Sequence, residues 1–537
     1  MDRRSFIVSS GGAALAAAAG AAGLWRWQEV TPQVADPGRT IGHMLRDRAA
    51  LPPPSSVVET DVAILGSGIA GLSAAWQLDR LGRRDVLLFD GPEAFGNAAG
   101  ARLGELACPT GAHYLPLPGM EARHVREMLA DFKILQGDPG AERPAYDERF
   151  LVHAPHERLL SHGAWQEGMV PARGVDAAAL GEHERFFAHM DRLRHAHGRD
   201  GRRAFVFPAA LSSSDPDFAA LDRITFADWL AREGYRAPSL RWYLDYCCRD
   251  DYGAPSDRVS AWAGIHYFAG RWGRAANAAD NALLTWPDGL QPLAEALGAR
   301  LGERRRAGTA AVVRIVDGRP EALCFVLENG QPRSFLVRAR RMVCAMPLFV
   351  AARVVEPMAS FGFDARRDLP PSAPWMVANF LMRDFPREQD GMPLAWDNVV
   401  QGGQGLGYVV STHQEIRVTP PRQTVFTAYV ALSERTPLAA RRWLQDARPG
   451  ELLELASADL KQAYGPAFLP NVARVDLTLR AHAMAVPVPG MRSNPGLAAL
   501  RALDGPLLFA HADLSGFSVF EEAAWWGCQA ALKIAAA

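Results

Sequence analysis

The stretch Asp61-Val-Ala-Ile-Leu65, followed at once by Gly66-Ser-Gly-Ile-Ala-Gly71, decides the fold of this chain. The first run is short and continuously apolar, which is typical of a strand in the centre of a parallel sheet. The glycine-rich turn leads into a helix that is predicted to run to about Leu81, and Asp85–Phe89 forms a second strand before Asp90. Strand, turn, helix and strand together make a βαβ unit of the kind that binds a dinucleotide.

Each residue of the turn has a physical task in such a unit. Gly66 permits the tight turn, Gly68 lets the backbone approach a pyrophosphate, and Gly71 lets the helix pack close to the strand. The helix N-terminus presents its partial positive charge to the phosphates, and an acid after the second strand accepts hydrogen bonds from the adenosine ribose. We therefore expect the dinucleotide to contact Gly66, Gly68, Ile69, Ala70, Gly71 and Asp90.

Length and composition exclude several classes of function. The chain has 537 residues, too many for one compact core, and its 58 Lys+Arg residues against 59 Asp+Glu give a formal net charge of -1. A balanced charge provides no global field that would attract nucleic acid, so no nucleic-acid partner is expected. The six cysteines are scattered without a C-x-x-C pair, and no histidine spacing suits zinc, so no metal site is expected.

Residues 1–27 have the features of a twin-arginine export signal. Arg3-Arg4 precedes a weakly apolar, Ala/Gly-rich run from Ile7 to Leu24. We expect the twin-arginine translocase to carry the folded, cofactor-loaded protein to the periplasm, with no stable membrane span after signal removal. Retention of the segment as an N-terminal anchor stays open. Residues 28–56 show no sustained apolar period and are predicted to be a linker.

Pieces of the nucleotide domain recur along the chain. We predict an α/β fold in which residues 57–120, 265–350 and 490–537 form the dinucleotide-binding domain and residues 121–264 and 351–489 form an inserted α+β substrate domain. In the last piece a buried strand ends at Ala510 and Asp513 follows it. An acid at that place can bind the ribityl chain of a flavin, whereas an NAD site needs only the first piece, so the pattern favours a flavin.

At four blocks the sequence resembles the FAD-dependent amine oxidase superfamily, which includes monoamine, polyamine and L-amino-acid oxidases and, more distantly, phytoene desaturases. The blocks are 61–90, the turn Cys108-Pro-Thr-Gly-Ala-His-Tyr114, residues 286–346, and residues 509–531. The turn resembles the family's flavin-facing D-x-G-x-x-Y pattern. The resemblance implies FAD as the cofactor and a Rossmann-type FAD-binding domain with an inserted substrate domain.

The resemblance also implies contacts between FAD and individual residues. The ADP half would be held by the glycine turn and Asp90. Seven further residues follow along the cofactor: the Val312 backbone at the adenine, Arg102 at the pyrophosphate or flavin edge, Gly111, Ala112 and His113 along the flavin, Asp513 at the ribityl chain, and Val519 where the family places a cage aromatic. Two alternatives stay open, since Arg102 is equally read as a solvated loop arginine and His113 as a satisfied turn histidine.

Three positions depart from the family pattern. Asn379 stands where these oxidases often place a lysine bridged by water to flavin N5, which favours an electron acceptor other than oxygen. Asn379 either holds a water or is a purely structural amide. His482 takes the place of the cysteine that attaches to flavin, and it contacts the flavin, bonds to it, acts as a base, or packs as a core histidine. With Val519 at a cage position, the aromatic cage is rebuilt or absent.

We predict an exported FAD-dependent oxidoreductase that oxidises the C–N bond of an amine by hydride transfer to flavin N5, with His482, Asn379 and His113 as candidate catalytic residues. Asp250 and Asp251 lie among aromatics and can recognise a cationic amine, although a helix cap with one surface acid is the simpler explanation of the pair. Two rival functions are a flavin dehydrogenase or desaturase acting on an apolar C–C substrate, and a non-catalytic FAD-bound binding protein.

Overall fold

The computed structural model describes residues 30–419 and 421–537, and the predicted export signal lies outside the described residues. The strands, in chain order, are β1 Gln33–Ala35, β2 Val57–Leu65, β3 Val86–Phe89, β4 Gly100–Leu103, β5 Leu106–Pro109, β6 Tyr114–Pro116, β7 Leu135–Gln136, β8 Ala145–Tyr146, β9 Glu157–Ser161, β10 Ala164–Glu167, β11 Leu283–Thr285, β12 Arg305–Arg306, β13 Thr309–Val316, β14 Arg319–Glu328, β15 Gln331–Cys344, β16 Ser372–Met382, β17 Asp397–Val400, β18 Tyr408–Val410, β19 Val425–Ala431, β20 Val472–Ala485 and β21 Leu507–Phe509.

The α-helices, in chain order, are α1 Arg39–Arg46, α2 Ile69–Arg80, α3 Arg123–Asp131, α4 Ala177–Arg194, α5 Pro216–Ala219, α6 Phe226–Arg232, α7 Pro238–Tyr252, α8 Ala261–Ala269, α9 Gln291–Ala299, α10 Leu348–Val354, α11 Pro437–Asp446, α12 Pro449–Tyr464, α13 Pro495–Ala502 and α14 Phe520–Ala536. Helix α7 begins with proline at its first position, where the missing N–H is not needed, and ends before Gly253, whose left-handed backbone closes the last turn.

The first sheet is built around the glycine-rich turn. Its strand order is β12-β3-β2-β15-β14-β13, and β21 pairs with the last part of β15. Strands β3, β2, β15 and β21 run parallel, whereas β13, β14 and the first part of β15 form an antiparallel meander. The apolar run at the end of β2 is buried, as its uninterrupted pattern predicts for a central parallel strand.

The second sheet has eight strands in the order β1-β20-β16-β19-β18-β17-β9-β10. It is mainly antiparallel, and side chains alternate between its two faces. Along β16, Met376 and Phe380 pack into a core that includes Leu452 and Leu460 of α12, while Trp375 and Val377 belong to a separate core with helices α6 to α8. The second face therefore lies toward the helical insertion, where the candidate site is found.

The segment predicted to be a linker differs from that prediction. Residues 33–35 form β1, which pairs in parallel with Asp476–Thr478 of β20, and residues 39–46 form α1. A three-residue strand has too short an apolar pattern to be recognised, because only its partner strand stabilises it. The chain therefore joins the second sheet before it enters the first.

The cysteines, the possible metal ligands and the helices of the described residues bear on which sites are present there. All six cysteines are buried and free. Within residues 30–419 and 421–537, no three His, Cys, Asp or Glu side chains are grouped so as to hold a metal ion. No helix of the described part has the length and apolar character needed to cross a bilayer.

Candidate active site

The glycine turn has the geometry that its spacing predicts. Gly66 has a φ of +113°, and a Cβ there would lie 2.8 Å from the carbonyl oxygen of Ala345. A Cβ at Gly71 would lie 1.9 Å from the oxygen of Gly66. By contrast, a Cβ at Gly68 would meet no atom within 4 Å. The fold itself requires glycine at 66 and 71, whereas Gly68 borders open space that a ligand can fill.

The N-terminus of α2 opens on the same space. Gly68 is its N-cap residue, and no side chain caps the helix. Ile69 is partly exposed, while Ala70 is buried against α14, where a Cβ at Gly527 would lie 2.1 Å from the Ala70 oxygen. Since the first turn of a helix carries N–H groups without an intrahelical partner, this uncapped end is suited to bind an anion such as a phosphate.

The carboxyl ends of three parallel strands are level with this turn. Cys344 of β15 pairs with Leu65 on one side and with Phe509 on the other. Asp513, four residues after Phe509, therefore lies at the same edge of the sheet as the glycine turn, about 10 Å away at two strand spacings. The predicted return of the chain to the edge at which it began is found in the structure.

Asp513 is a buried side chain whose surroundings stabilise its charged, hydrogen-bond-accepting form. Its Oδ2 accepts a hydrogen bond of 2.9 Å from the Leu348 amide and lies 3.2 Å from Nδ1 of His511. Burial opposes the charged form, but the charge and hydrogen bond of His511 and the Leu348 amide outweigh it and lower the pKa of Asp513. Its charged oxygens can accept hydrogen bonds from the hydroxyls of a ribityl chain.

Asp90, at the end of β3, has a partner that the sequence did not indicate. Nε of Arg305 lies 2.7 Å from its Oδ1, and the Arg305 guanidinium lies 4.3 Å from the centroid of the Phe95 ring. The arginine fixes the orientation of the carboxylate and leaves its second oxygen for a ribose. Arg305 is 215 residues from Asp90 in the chain, so only the parallel pairing of β12 with β3 brings them together.

Three residues predicted to contact the cofactor have no neighbouring contact that points to a ligand. Arg102 lies on the exposed β4–β5 hairpin and donates to the carbonyl of Glu105, which is the solvated loop arginine of the alternative interpretation. Val312 is partly exposed and pairs with Leu323 directly after an irregularity in the pairing of β13 with β14, at which Ala311 has no opposite residue. Val519 is the partly exposed N-cap residue of α14.

The turn at Gly111 and Ala112 is held rigidly by Asn97. The Asn97 carbonyl accepts a bond of 2.7 Å from the Ala112 amide, and a Cβ at Gly111 would lie 2.2 Å from that oxygen. Nδ2 of Asn97 donates 2.6 Å to the carbonyl of Ala483, next to His482. Asn97 thus joins the predicted flavin-facing turn to the strand that carries His482.

Asn379 is nearly inaccessible, at 1% exposure, and its amide is engaged at both ends. Nδ2 donates 2.9 Å to the carbonyl of Pro109, and Oδ1 accepts 2.6 Å from the Thr427 hydroxyl. The amide therefore ties β16 and β19 to the Gly111 turn. This geometry corresponds to the structural amide rather than to the water-holding residue of the two interpretations.

His482 is exposed and stacks on Phe349, with 4.1 Å between ring centroids. It is therefore no core histidine. Asn97 links the backbone of its neighbour Ala483 to Ala112, so His482 follows the predicted flavin-facing turn only through the backbone of β20.

His113 lies in an aromatic cage. Its ring stacks on Tyr429 at 4.4 Å between centroids, with Tyr114 at 4.9 Å and Trp396 at 5.6 Å. Burial alone lowers the pKa of His113 to about 3, so its imidazole is neutral at physiological pH. The Tyr429 hydroxyl donates 3.0 Å to the Gly111 carbonyl. Tyr429 of β19 and Trp396, just before β17, thus surround His113 at positions that the sequence did not assign.

Two acids face this cage without a counter-ion. Asp251 is buried and pairs with Arg271 at 2.7 Å, but neither Asp250 nor Asp397 forms an ion pair with a described residue. Burial, followed by the charge of Asp251, raises the pKa of Asp250 to about 7, and burial followed by Asp250 raises that of Asp397. Burial raises the pKa of Tyr114 and Tyr429, and the charges of Asp250 and Asp397 raise it further.

Asp250, Asp397 and His113 are desolvated, yet each keeps some accessible surface. Both conditions hold together where side chains line an internal space. The candidate site therefore consists of the edge of the first sheet at Gly68 and the acidic and aromatic side chains beside the Gly111 turn.

Comparison with known proteins agrees with this architecture. Residues 64–132 match the family model of an NAD(P)-binding Rossmann-like domain. No curated protein matches the chain. Among solved structures, a putrescine oxidase bound to putrescine superposes with a TM-score of 0.63 at 16% identity, covering 90% of this chain and 100% of its own.

Two further structures have similar folds. The cyclohexylamine oxidase from Brevibacterium oxydans has a TM-score of 0.61 at 18% identity, covering 89% of this chain and 99% of its own. A fatty acid isomerase from P. acnes that produces CLA has a TM-score of 0.55 at 15% identity, covering 88% and 97%. These matches confirm the predicted α/β fold, a Rossmann-type domain combined with an inserted α+β domain.

Proposed function

We propose that the chain is an FAD-dependent oxidoreductase that oxidises an amine bound as a cation between Asp250 and Asp397. Bound FAD would supply the two-electron acceptor. The single observation that carries the proposal is the pair of carboxyl groups without a counter-ion that face the aromatic cage.

Residues at the edge of the first sheet are suited to bind both the adenosine half and the flavin half of FAD. The open space at Gly68 and the uncapped start of α2 suit the pyrophosphate, and Asp90, oriented by Arg305, suits the adenosine ribose. At the other end Asp513 offers a charged acceptor to the ribityl chain. A nicotinamide cofactor would leave Asp513 and the rigid Gly111 turn without a ligand, so these two features support the longer flavin dinucleotide.

The cavity beside the turn favours a cation. A buried carboxylate without a partner is costly, and an ammonium group placed beside it relieves that cost. The faces of Tyr429 and Trp396 attract the same charge. The carboxylate of a fatty acid would meet like charge here, so the activity named for the P. acnes isomerase is not proposed for this chain.

The acids also provide a proton acceptor. An amine is oxidised in its neutral form, so the bound ammonium must first lose a proton. The Asp250 carboxyl, with a pKa of about 7, is matched to accept that proton near neutral pH. His113, with a pKa of about 3, stays neutral and can hold a hydrogen bond from the substrate nitrogen. We assign the base to Asp250, in place of the histidines that the sequence suggested. We propose that His482 contacts the flavin without acting as the base.

We also propose export by the twin-arginine route, as Arg3-Arg4 and the following apolar run suggest. Replacing both arginines by lysine should retain the protein in the cytoplasm of an expressing bacterium, whereas wild type should appear in the periplasmic or membrane fraction. Equal distribution of the two proteins would contradict export by this route.

Anaerobic reduction tests the proposed reaction. The purified flavoprotein is mixed with diamines, monoamines, amino acids and an unsaturated fatty acid, and loss of flavin absorbance is followed. We expect cationic amines to bleach the flavin, and Asp397→Asn to weaken substrate binding about tenfold or more, since the amide cannot become the carboxylate that pairs with a bound ammonium group. Asp257→Asn, at an exposed position after α7, is the matched control. Bleaching by the fatty acid alone would contradict the amine assignment, and bleaching by nothing would support a non-catalytic binding protein.

A further inference from the structure

One end of the second sheet carries exposed apolar side chains on two neighbouring loops. Phe385, Ile416 and Val418 are 37%, 73% and 106% exposed, and we call them the loop patch. Strand β16 ends at Met382 and β19 begins at Val425, and the Met382 amide donates to the Thr424 carbonyl at that end. The two loops therefore leave the sheet side by side.

The N-terminal segment leaves the fold at the same end. Because β1 runs parallel to β20, the chain before Gln33 points toward Val472, which pairs with Met382. Val30 packs there, against the core that contains Met382 and Val472. The point at which residues 1–29 join the described fold therefore lies at the same end of the sheet as the loop patch.

The sequence of that preceding segment is suited to a bilayer. The apolar run Ile7–Leu24 is followed by Trp25-Arg26-Trp27, and tryptophan and arginine are residues that favour the interface between lipid and water. Only Gln28 and Glu29 separate Trp27 from Val30. Three residue steps span at most about 11 Å, so Val30 lies within that distance of the interface whenever the apolar run is in the bilayer.

We propose that this end of the inserted domain faces a lipid bilayer, with Ile7–Leu24 retained as an anchor and the loop patch inserted among the lipid headgroups. Short apolar loops beside an anchor gain free energy by burying their side chains at the boundary of headgroups and acyl chains. The loops carry four arginines and four acids: Arg383, Arg387, Arg417 and Arg422 against Asp384, Glu388, Asp390 and Glu415. Glu415 pairs with Arg417, and Glu388 pairs with Arg158. Charge therefore contributes little, and apolar contact should dominate.

A fluorescent label on the patch tests the proposal. All six native cysteines are buried, so a cysteine introduced by Val418→Cys is the accessible thiol in the described chain. Leu438→Cys is the matched control, because Leu438 is 56% exposed and begins α11 beyond the other end of β19. The full chain is labelled with an environment-sensitive dye and reconstituted into phosphatidylcholine vesicles, with and without phosphatidylglycerol.

We expect a blue shift and quenching by spin-labelled lipid at position 418 but not at 438, with both lipid compositions. The unlabelled triple variant F385S/I416S/V418S should float with vesicles less completely after alkaline washing than L438S. Failure of the wild-type chain to float with vesicles would overturn the proposal. Flotation without a fluorescence shift at position 418 would also overturn it, because that result is expected if the anchor alone binds lipid or if the loop patch contacts a protein. Equal fluorescence shifts at positions 418 and 438 would overturn it as well.

Discussion

The cost of burying the Asp250 carboxylate can be measured through the pH dependence of stability. The pKa of an aspartate rises from the ordinary 3.8 to about 7 at this site. Between those values the unfolded chain has released the proton and the folded chain keeps it, so stability falls as pH rises through this window. At 1.36 kcal/mol per pH unit the full cost is about 4 kcal/mol above pH 7, and the polarity of a real protein interior reduces it to about 2 kcal/mol.

Asp250→Asn removes this cost because the amide carries no charge at any pH. We expect urea unfolding to show the variant about equal to wild type near pH 4 and about 2 kcal/mol more stable at pH 8. The charge of Asp250 also raises the pKa of Asp397, so the variant relieves part of the cost of ionising Asp397 as well, which acts in the same direction. Asp257→Asn, at the exposed control position, should show no such trend. A constant difference between variant and wild type across the range, or a less stable variant at pH 8, would refute the reasoning.

Three further predictions concern the cofactor cleft. Gly68→Val should yield folded protein without flavin, seen as a lost visible spectrum with an unchanged far-UV CD spectrum, whereas Gly505→Val, also in open space, should keep its flavin. Arg305→Ala should raise the Kd for FAD several-fold, because Asp90 loses the partner that orients it; isothermal titration of the cofactor-free chain measures this, and an unchanged Kd argues against the pairing. Asn379→Leu should lower the unfolding free energy by about 1–3 kcal/mol, because the Pro109 carbonyl and the Thr427 hydroxyl lose their partner, and no loss would speak against its structural role.

The first sheet could be predicted from the sequence because its signals are local. The apolar run before Gly66, the spacing of the three glycines and the acid at 90 all lie within one βαβ unit, and the structure shows the burial of the run and the steric need for glycine at 66 and 71. The return of the chain at Asp513 was also predictable, since a buried strand followed by an acid is a local pattern.

The site itself could be predicted only in part, because its partners come from distant segments. Strand pairing brings Arg305 to Asp90. Asn97 forms hydrogen bonds with the backbone of Ala112 and of Ala483, and no sequence pattern predicts either bond. Tyr429 lies in an apolar strand and Trp396 in the bend before β17, and in such apolar segments an aromatic facing a site looks the same as one facing a core. For Arg102, the sequence could not distinguish a cofactor contact from a hairpin arginine.

Extraction of the bound cofactor tests the central claim most directly. The chain is purified without added flavin, its visible spectrum is recorded, and the acid-soluble fraction is identified by mass spectrometry. We predict an oxidised-flavin spectrum and close to one FAD per chain, free or bound at His482. A colourless protein that takes up no FAD on incubation, or that releases a nicotinamide dinucleotide instead, would contradict the account.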